Sequence, residues 1–344
     1  MRNIMRPRSF FISALIAAIL FGVLNLAVAV LGNNTIPRQI ARRIEQTPGL
    51  NCLALGNSLM QAGFDAAIFQ AACRSRRGNV IALNAGLGSS YPVEHLLLLR
   101  RAFQKRAGLD CVMYGFFDFQ LMQPPQTSLH ELIGNRAMLY YFEPDVAARY
   151  YQWPPGDRLA FHITRFFPAI EERGAVWAKV EMLRRRFSGL GMPAQQNNQF
   201  GRTQDFALLE ADSPAQFARE CDQAVAARRE LSQPVLDMIR LTREHGARMV
   251  MIEMPMSPTH IERYYSTPSW QHYRAYLKEL LAAHGADLVS AGDWVPEDRL
   301  FADHLHLSPE GSIVFSRRLA LVVGQVSDLP GPARAQAGDL RHTL

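Results

Sequence analysis

Five short apolar runs, at Asn51–Leu55, Asn79–Asn84, Asp110–Tyr114, Ala247–Glu253 and Ala286–Val289, are separated by stretches whose apolar residues recur at helical spacing. Strands of this kind, joined through helices, pair in parallel and are covered on both faces. The expected fold is therefore α/β, with a parallel sheet between two helical layers. In the first unit, Ser58 opens a helix whose apolar positions are Leu59, Phe64, Ala67, Ile68 and Ala71. In the second, a small-residue turn from Ala85 to Ser90 leads into a helix from Pro92 to about Ala107. The third strand ends in Gly115-Phe116-Phe117-Asp118-Phe119. The alternation then breaks. Residues 120–212 carry aromatic clusters (Tyr140-Tyr141-Phe142, Tyr150 to Trp153), Pro-rich turns and a Gln/Asn-rich loop at Gln195 to Gln199, and are expected to form a helical insertion over the sheet. Alternation returns at Ser213-Pro214, a good helix start. It continues in pieces to His245, then with helices at Trp270–His284 and from Pro309 to about Val323.

The N-terminus adds a second constraint. Arg2, Arg6 and Arg8 precede an uncharged run from Phe10 to Leu31, which matches the ~20 residues that span a bilayer. The basic flank favours a cytoplasmic N-terminus, so a single-pass anchor in the inner (cytoplasmic) membrane would leave the body on the periplasmic side. Ala27-Val28-Ala29 keeps a cleaved signal peptide open as the alternative. The expected divisions are an anchor at 1–32, a juxtamembrane stalk at 33–48 containing a short basic helix-like run from Arg38 to Glu45, the α/β body at 49–325 and a loose tail at 326–344.

The 344 residues carry a net charge of +6, but the densest basic run, Arg184-Arg185-Arg186, suits a solvated helix face, and no nucleic-acid partner is expected. Cys52, Cys73, Cys111 and Cys221 have no metal-ligand spacing, so neither a metal nor an organic cofactor is implied. An exported body permits a disulfide without assigning one.

Two stretches can carry chemistry together. Ser58 follows the first strand at the sheet edge where ligands bind in open parallel sheets. Asp303 and His306, three residues apart, can lie on one side of a loop, with the carboxylate orienting an imidazole that faces a serine. Ser308, Pro309 and Glu310 fix a helix start directly behind them. Each residue also has an ordinary role open to it: Ser58 as a helix N-cap, Asp303 as a turn cap, His306 as a loop histidine. His304 is a spare imidazole beside them. An oxyanion needs donors aimed at it; the Ser58 backbone and the turn containing Gly86 are the candidates, Gly86 otherwise serving a tight turn.

In this order the segments resemble the SGNH (GDSL-like) hydrolases. Gly56-Asn57-Ser58 is similar to the family's nucleophile block, Asn84-Ala85-Gly86 to its second block, and Asp303 to His306 to its last. The resemblance covers the sheet and its flanking helices and not the insertion. It implies a flavodoxin-like sheet, a Ser58-His306-Asp303 triad, and an oxyanion hole from Ser58 and Gly86. The third block departs: Phe117 stands where the family carries an asparagine donor. With its anchor and insertion the chain is similar to the membrane-anchored branch working beside membrane-bound O-acyltransferases, such as alginate acetylation proteins and the teichoic acid D-alanyl transfer protein. That branch implies acyl transfer to, or removal from, an envelope polysaccharide. A degenerate domain that binds glycan or scaffolds an acyltransferase is the rival, and a simple exported esterase a third reading.

Overall fold

The computed structural model describes residues 7–32, 36–77, 80–105, 108–123, 144–150 and 213–326, with single positions at 156, 159, 180 and 184. The five apolar runs form one sheet of β1 (Cys52–Gly56), β2 (Ala82–Asn84), β3 (Cys111–Phe116), β4 (Arg248–Glu253) and β5 (Asp287–Ser290). Its order is β2-β1-β3-β4-β5 and every pairing is parallel, which is the flavodoxin-like arrangement. The chain steps from β1 to β2, then crosses back over β1 to place β3. The crevice at the ends of β1 and β3 is thus the topological switch point, where such sheets take their ligands.

Helices cover the sheet. The helices α3 (Ser58–Gly63) and α4 (Ala66–Arg77) both pack on the last helix, here α10 (Pro309–Val326). In a second group α5 (Pro92–Lys105) touches α2 (Ile36–Gln46), α6 (Pro144–Tyr150) and α8 (Gln233–Glu244), and α7 (Pro214–Ala226) lies on α9 (Pro268–Ala283). Phe315 and Leu319 of α10 join Leu53, Leu55 and Tyr114 of the strands in a continuous buried core.

Three local differences from the sequence reading have physical causes. The first helix is two helices, because Asp65 interrupts it. Its carboxylate accepts from Ala67 and Ile68 N–H at 2.9 and 3.0 Å, capping α4, and its own N–H donates to Ser316 Oγ at 2.8 Å. The stretch expected as a stalk does not stand apart: its helical run, α2, is docked on the domain through buried Ile40, Ala41 and Ile44. An ion pair from Glu45 to Arg101 at 2.6 Å ties its last turn to α5. Finally, α9 begins at Pro268 under a Thr267 cap, two residues before the expected start.

Ahead of α2, α1 (Pro7–Gly32) contains a 21-residue stretch, Phe10–Val30, long and apolar enough to cross a membrane. Phe11, Leu26 and Val30 are each more than two-thirds exposed there. Most of the expected insertion lies outside the described residues, including Tyr140 to Phe142, Trp153, Arg185, Arg186 and the Gln195 to Gln199 loop. So do Arg2, Arg6 and the tail from residue 327.

Candidate active site

The turn after β1 places Ser58. Asn57 is the N-cap of α3, its Oδ1 accepting from Leu59 N–H at 2.9 Å. The capping duty considered for Ser58 therefore belongs to its neighbour, as the high N-cap preference of Asn allows. Ser58 becomes the first helical residue with its hydroxyl left over, and that hydroxyl sits 2.9 Å from His306 Nε2.

His306 is held from behind. Its Nδ1 lies 2.7 Å from Asp303 Oδ2, while Asp303 Oδ1 accepts from the Leu305 and His306 amides at 2.8 and 2.7 Å. A carboxylate facing Nδ1 requires the proton there, so Nε2 presents its lone pair to the serine hydroxyl. Burial alone would raise the Asp303 pKa, but the bond from the His306 ring and the two amides outweigh it and hold the carboxyl down to about 2.

The loop carrying the pair is closed by Ala302 N–H to the His306 carbonyl at 2.7 Å and Ser308 N–H to the Leu300 carbonyl at 2.8 Å. Ser308 Oγ then accepts from Gly311 N–H at 3.2 Å, starting α10. Gly311 is needed for close approach, since a Cβ there would lie 2.1 Å from the Leu300 carbonyl oxygen. His304 points elsewhere: it is buried and stacked on His260, with centroids 5.7 Å apart.

Gly86 is brought close against α3. A Cβ would lie 2.4 Å from Gln61 N, so this position has to be glycine for the turn to reach the helix. Its N–H donates to Asn84 Oδ1 at 2.8 Å, while Asn84 Nδ2 donates to the Met60 and Phe64 carbonyls. The Gly86 amide is thus engaged within its own turn. The Ser58 amide, at the first helical position, has no acceptor within its own helix.

Beneath this turn is a network that sequence reasoning missed. Ser90 Oγ donates to the Leu87 carbonyl and lies 2.6 Å from His95 Nε2, whose Nδ1 is 3.0 Å from the Tyr114 hydroxyl. Burial holds His95 down to about 3, so the ring is neutral. Glu94 closes a capping box on the Tyr91 N–H at 2.9 Å, but its Oε1 is buried with no partner and burial pushes its pKa up to about 8. Only the Ser/Glu-like spacing Tyr91-Pro92-Val93-Glu94 hints at the cap; the ring network joins residues distant in sequence.

The third corner is aromatic. Phe117 is half-buried against the core and offers no side-chain donor. Asp118, in the left-handed region at φ 45°, is tied to the Tyr265 hydroxyl at 2.5 Å. Gln120 is buried and its Oε1 accepts from Asn57 Nδ2 at 3.4 Å, linking the β3 exit to the nucleophile turn. Beyond it a cavity of about 300 Å³ is lined by Phe117, Phe217, Tyr264 and His260. No cluster of His, Cys, Asp and Glu able to hold a metal occurs among the described residues.

No protein-family model and no curated protein matches the chain. In structure it is similar to a protein from Streptococcus pneumonia described as a platelet activating factor, at 11% identity and a TM-score of 0.38, covering 89% of this chain and 99% of that one. It is also similar to a carbohydrate acetylesterase from Sinorhizobium meliloti, at 11% identity and a TM-score of 0.37 over 80% of this chain and 99% of that one. A lipase/acylhydrolase from Enterococcus faecalis follows, at 10% identity and a TM-score of 0.35 over 80% and 97%. Likeness at this level leaves the reaction to be judged from the site itself.

Proposed function

We propose that the chain is a serine esterase or O-acyltransferase of SGNH type, anchored by α1 and acting on acyl esters of a cell-envelope polysaccharide. The observation that carries the chemistry is the run Ser58 Oγ, His306 Nε2, His306 Nδ1, Asp303 Oδ2, with gaps of 2.9 and 2.7 Å. In this reading Ser58 Oγ attacks the ester carbonyl as its proton passes to Nε2. Asp303 keeps the ring oriented and stabilises the imidazolium, and the Ser58 amide donates to the developing oxyanion. The imidazolium then protonates the departing alcohol. Water or a sugar hydroxyl, deprotonated by the same nitrogen, takes the acyl group from the serine. The anchor reading is supported by the length and exposure of α1, and the polysaccharide and a neighbouring membrane-bound O-acyltransferase by the combination of that anchor with the long insertion after β3.

The rival reading, a domain that binds glycan or scaffolds an acyltransferase without turnover, is favoured by Phe117 and by the engaged Gly86 amide. The two separate cleanly with full-length protein in detergent. Labelling by a fluorophosphonate and hydrolysis of p-nitrophenyl acetate, both lost in Ser58→Ala, support the enzyme. A folded protein that neither labels nor hydrolyses leaves only the binding role.

A further inference from the structure

The position of α2 fixes which way the site faces. Its C-terminal end leads through Gly49 and Asn51 to the start of β1, where Asn51 N–H bonds the Ile81 carbonyl ahead of β2. The helix therefore runs back along the sheet, and its first residue, Ile36, lies at the opposite edge, where the strands end. A cavity of about 490 Å³ sets α2 beside the nucleophile helix, since Ile36, Gln39, Ile40 and Arg43 share its wall with Gln61, Gly86 and Pro309. Gln61 is one helical turn beyond Ser58 on the same face of α3, and Pro309 is three residues past His306. Only residues 33–35 separate α2 from the apolar α1. Four Cα steps at ~3.3–3.6 Å reach at most ~14 Å.

We infer that the serine edge of the sheet faces the bilayer across this short link, and that the ester acted on is borne by a membrane-resident lipid that enters between α2 and α3. This rests on the anchor and the serine-esterase chemistry of the reading above, and assigns the ester to a lipid in place of the polysaccharide named there. The cavity wall suits an amphiphile, combining Ile36, Ile40 and Phe64 with Gln61 and Arg43. A domain hung from its opposite edge would need a link at least as long as the sheet is tall.

The placement is tested without catalysis by reconstituting full-length Cys111→Ser protein in phosphatidylethanolamine/phosphatidylglycerol vesicles containing an acceptor-labelled lipid. A donor dye is attached to Asp293→Cys or to Ala283→Cys, exposed positions just after and just before β5. More efficient transfer from position 293 is expected; equal or reversed transfer, or a chain found cleaved and free of the vesicles, overturns the inference. The substrate arm uses an insertion of about twenty Gly/Ser residues between Gly32 and Ile36, a flexible spacer. Hydrolysis of p-nitrophenyl acetate should be unchanged, while a nitrophenyl acetate bearing a hexadecyl chain in the vesicle should react at least ~10-fold slower, ~1.4 kcal/mol. Equal rates on both esters with and without the spacer overturn the lipid-borne substrate. Strong transfer from position 293 without fluorophosphonate labelling upholds the placement and sinks the esterase reading.

Discussion

Ser58 has two sides, and they are built differently. Towards the 301–311 loop, Asp303 and His306 are engaged in full: both Asp303 oxygens accept bonds, and both ring nitrogens of His306 face a partner. Towards β2 and β3, the Gly86 amide is turned inward, Phe117 offers no donor, and Glu94 keeps a buried oxygen unpaired. On the proposed reading the proton-handling half is complete before any ligand arrives, whereas on the other side the Gly86 amide is already engaged and Phe117 brings no donor. The same contrast appears in two carboxyls. Asp303 is held down to about 2 by bonds donated to it, and Glu94 is pushed up to about 8 because burial is matched by too few.

The largest test of this asymmetry is Asp303→Asn. An amide in that place no longer fixes the Nδ1 proton, and kcat on p-nitrophenyl acetate should fall ~10³–10⁴-fold with the fold unchanged by circular dichroism. A loss below tenfold would mean that the proton side is not what limits the enzyme.

Glu94→Gln probes the other carboxyl. A folded-state pKa above the unfolded one makes the buried acid neutral, so wild-type stability should decline as pH rises from about 4.5 through about 8. At pH 9 the variant should be more stable in urea by a few kcal/mol, at ~1.4 kcal/mol per pKa unit. Parallel stability curves for the two proteins would show that Glu94 ionises in place. Asp303 behaves oppositely, its stabilisation being present above the unfolded carboxyl range and lost as pH falls towards 2.

Phe117→Asn sharpens the comparison by repair. A side-chain donor in an oxyanion site is worth ~10²–10³ when already in place. A newly introduced one, unsupported by its surroundings, should raise kcat by ~10-fold or more. An unchanged kcat would show that the aromatic corner does not border the reacting carbonyl.

The smallest effect is expected from Asn57→Ala. Loss of the cap costs ~1 kcal/mol in urea unfolding, together with the contact to Gln120 Oε1. A measured change within ±0.3 kcal/mol would mean that Ser58 takes over the cap, which draws its hydroxyl away from His306.

The sheet was legible because each strand is a short apolar run and each helix start carries its own chemistry, Ser213-Pro214 and Ser308-Pro309 among them. Thr267-Pro268 has the same signature, and reading it would have moved the start of α9 to its observed place. Asp65 was hidden because an apolar period continues across it; only the capping bonds of its carboxylate reveal the break. At the site, the order of Ser58, Asp303 and His306 was visible as residue types and spacing. The direction of the Gly86 amide was not, since it depends on where the Asn84 side chain turns. The network of Ser90, His95 and Tyr114 joins a loop, a helix and a strand, and no local pattern announces it.

Ser58 and His306 stand 248 positions apart, and the loop that orients the base is sealed against the first turn of α10. A ribosome finishes the serine long before it finishes the histidine, so every growing or truncated chain that lacks a seated α10 has a hydroxyl with no base beside it. On the proposed reading, ester chemistry would be switched on by completion of the fold, and its appearance during refolding would time the docking of the last helix.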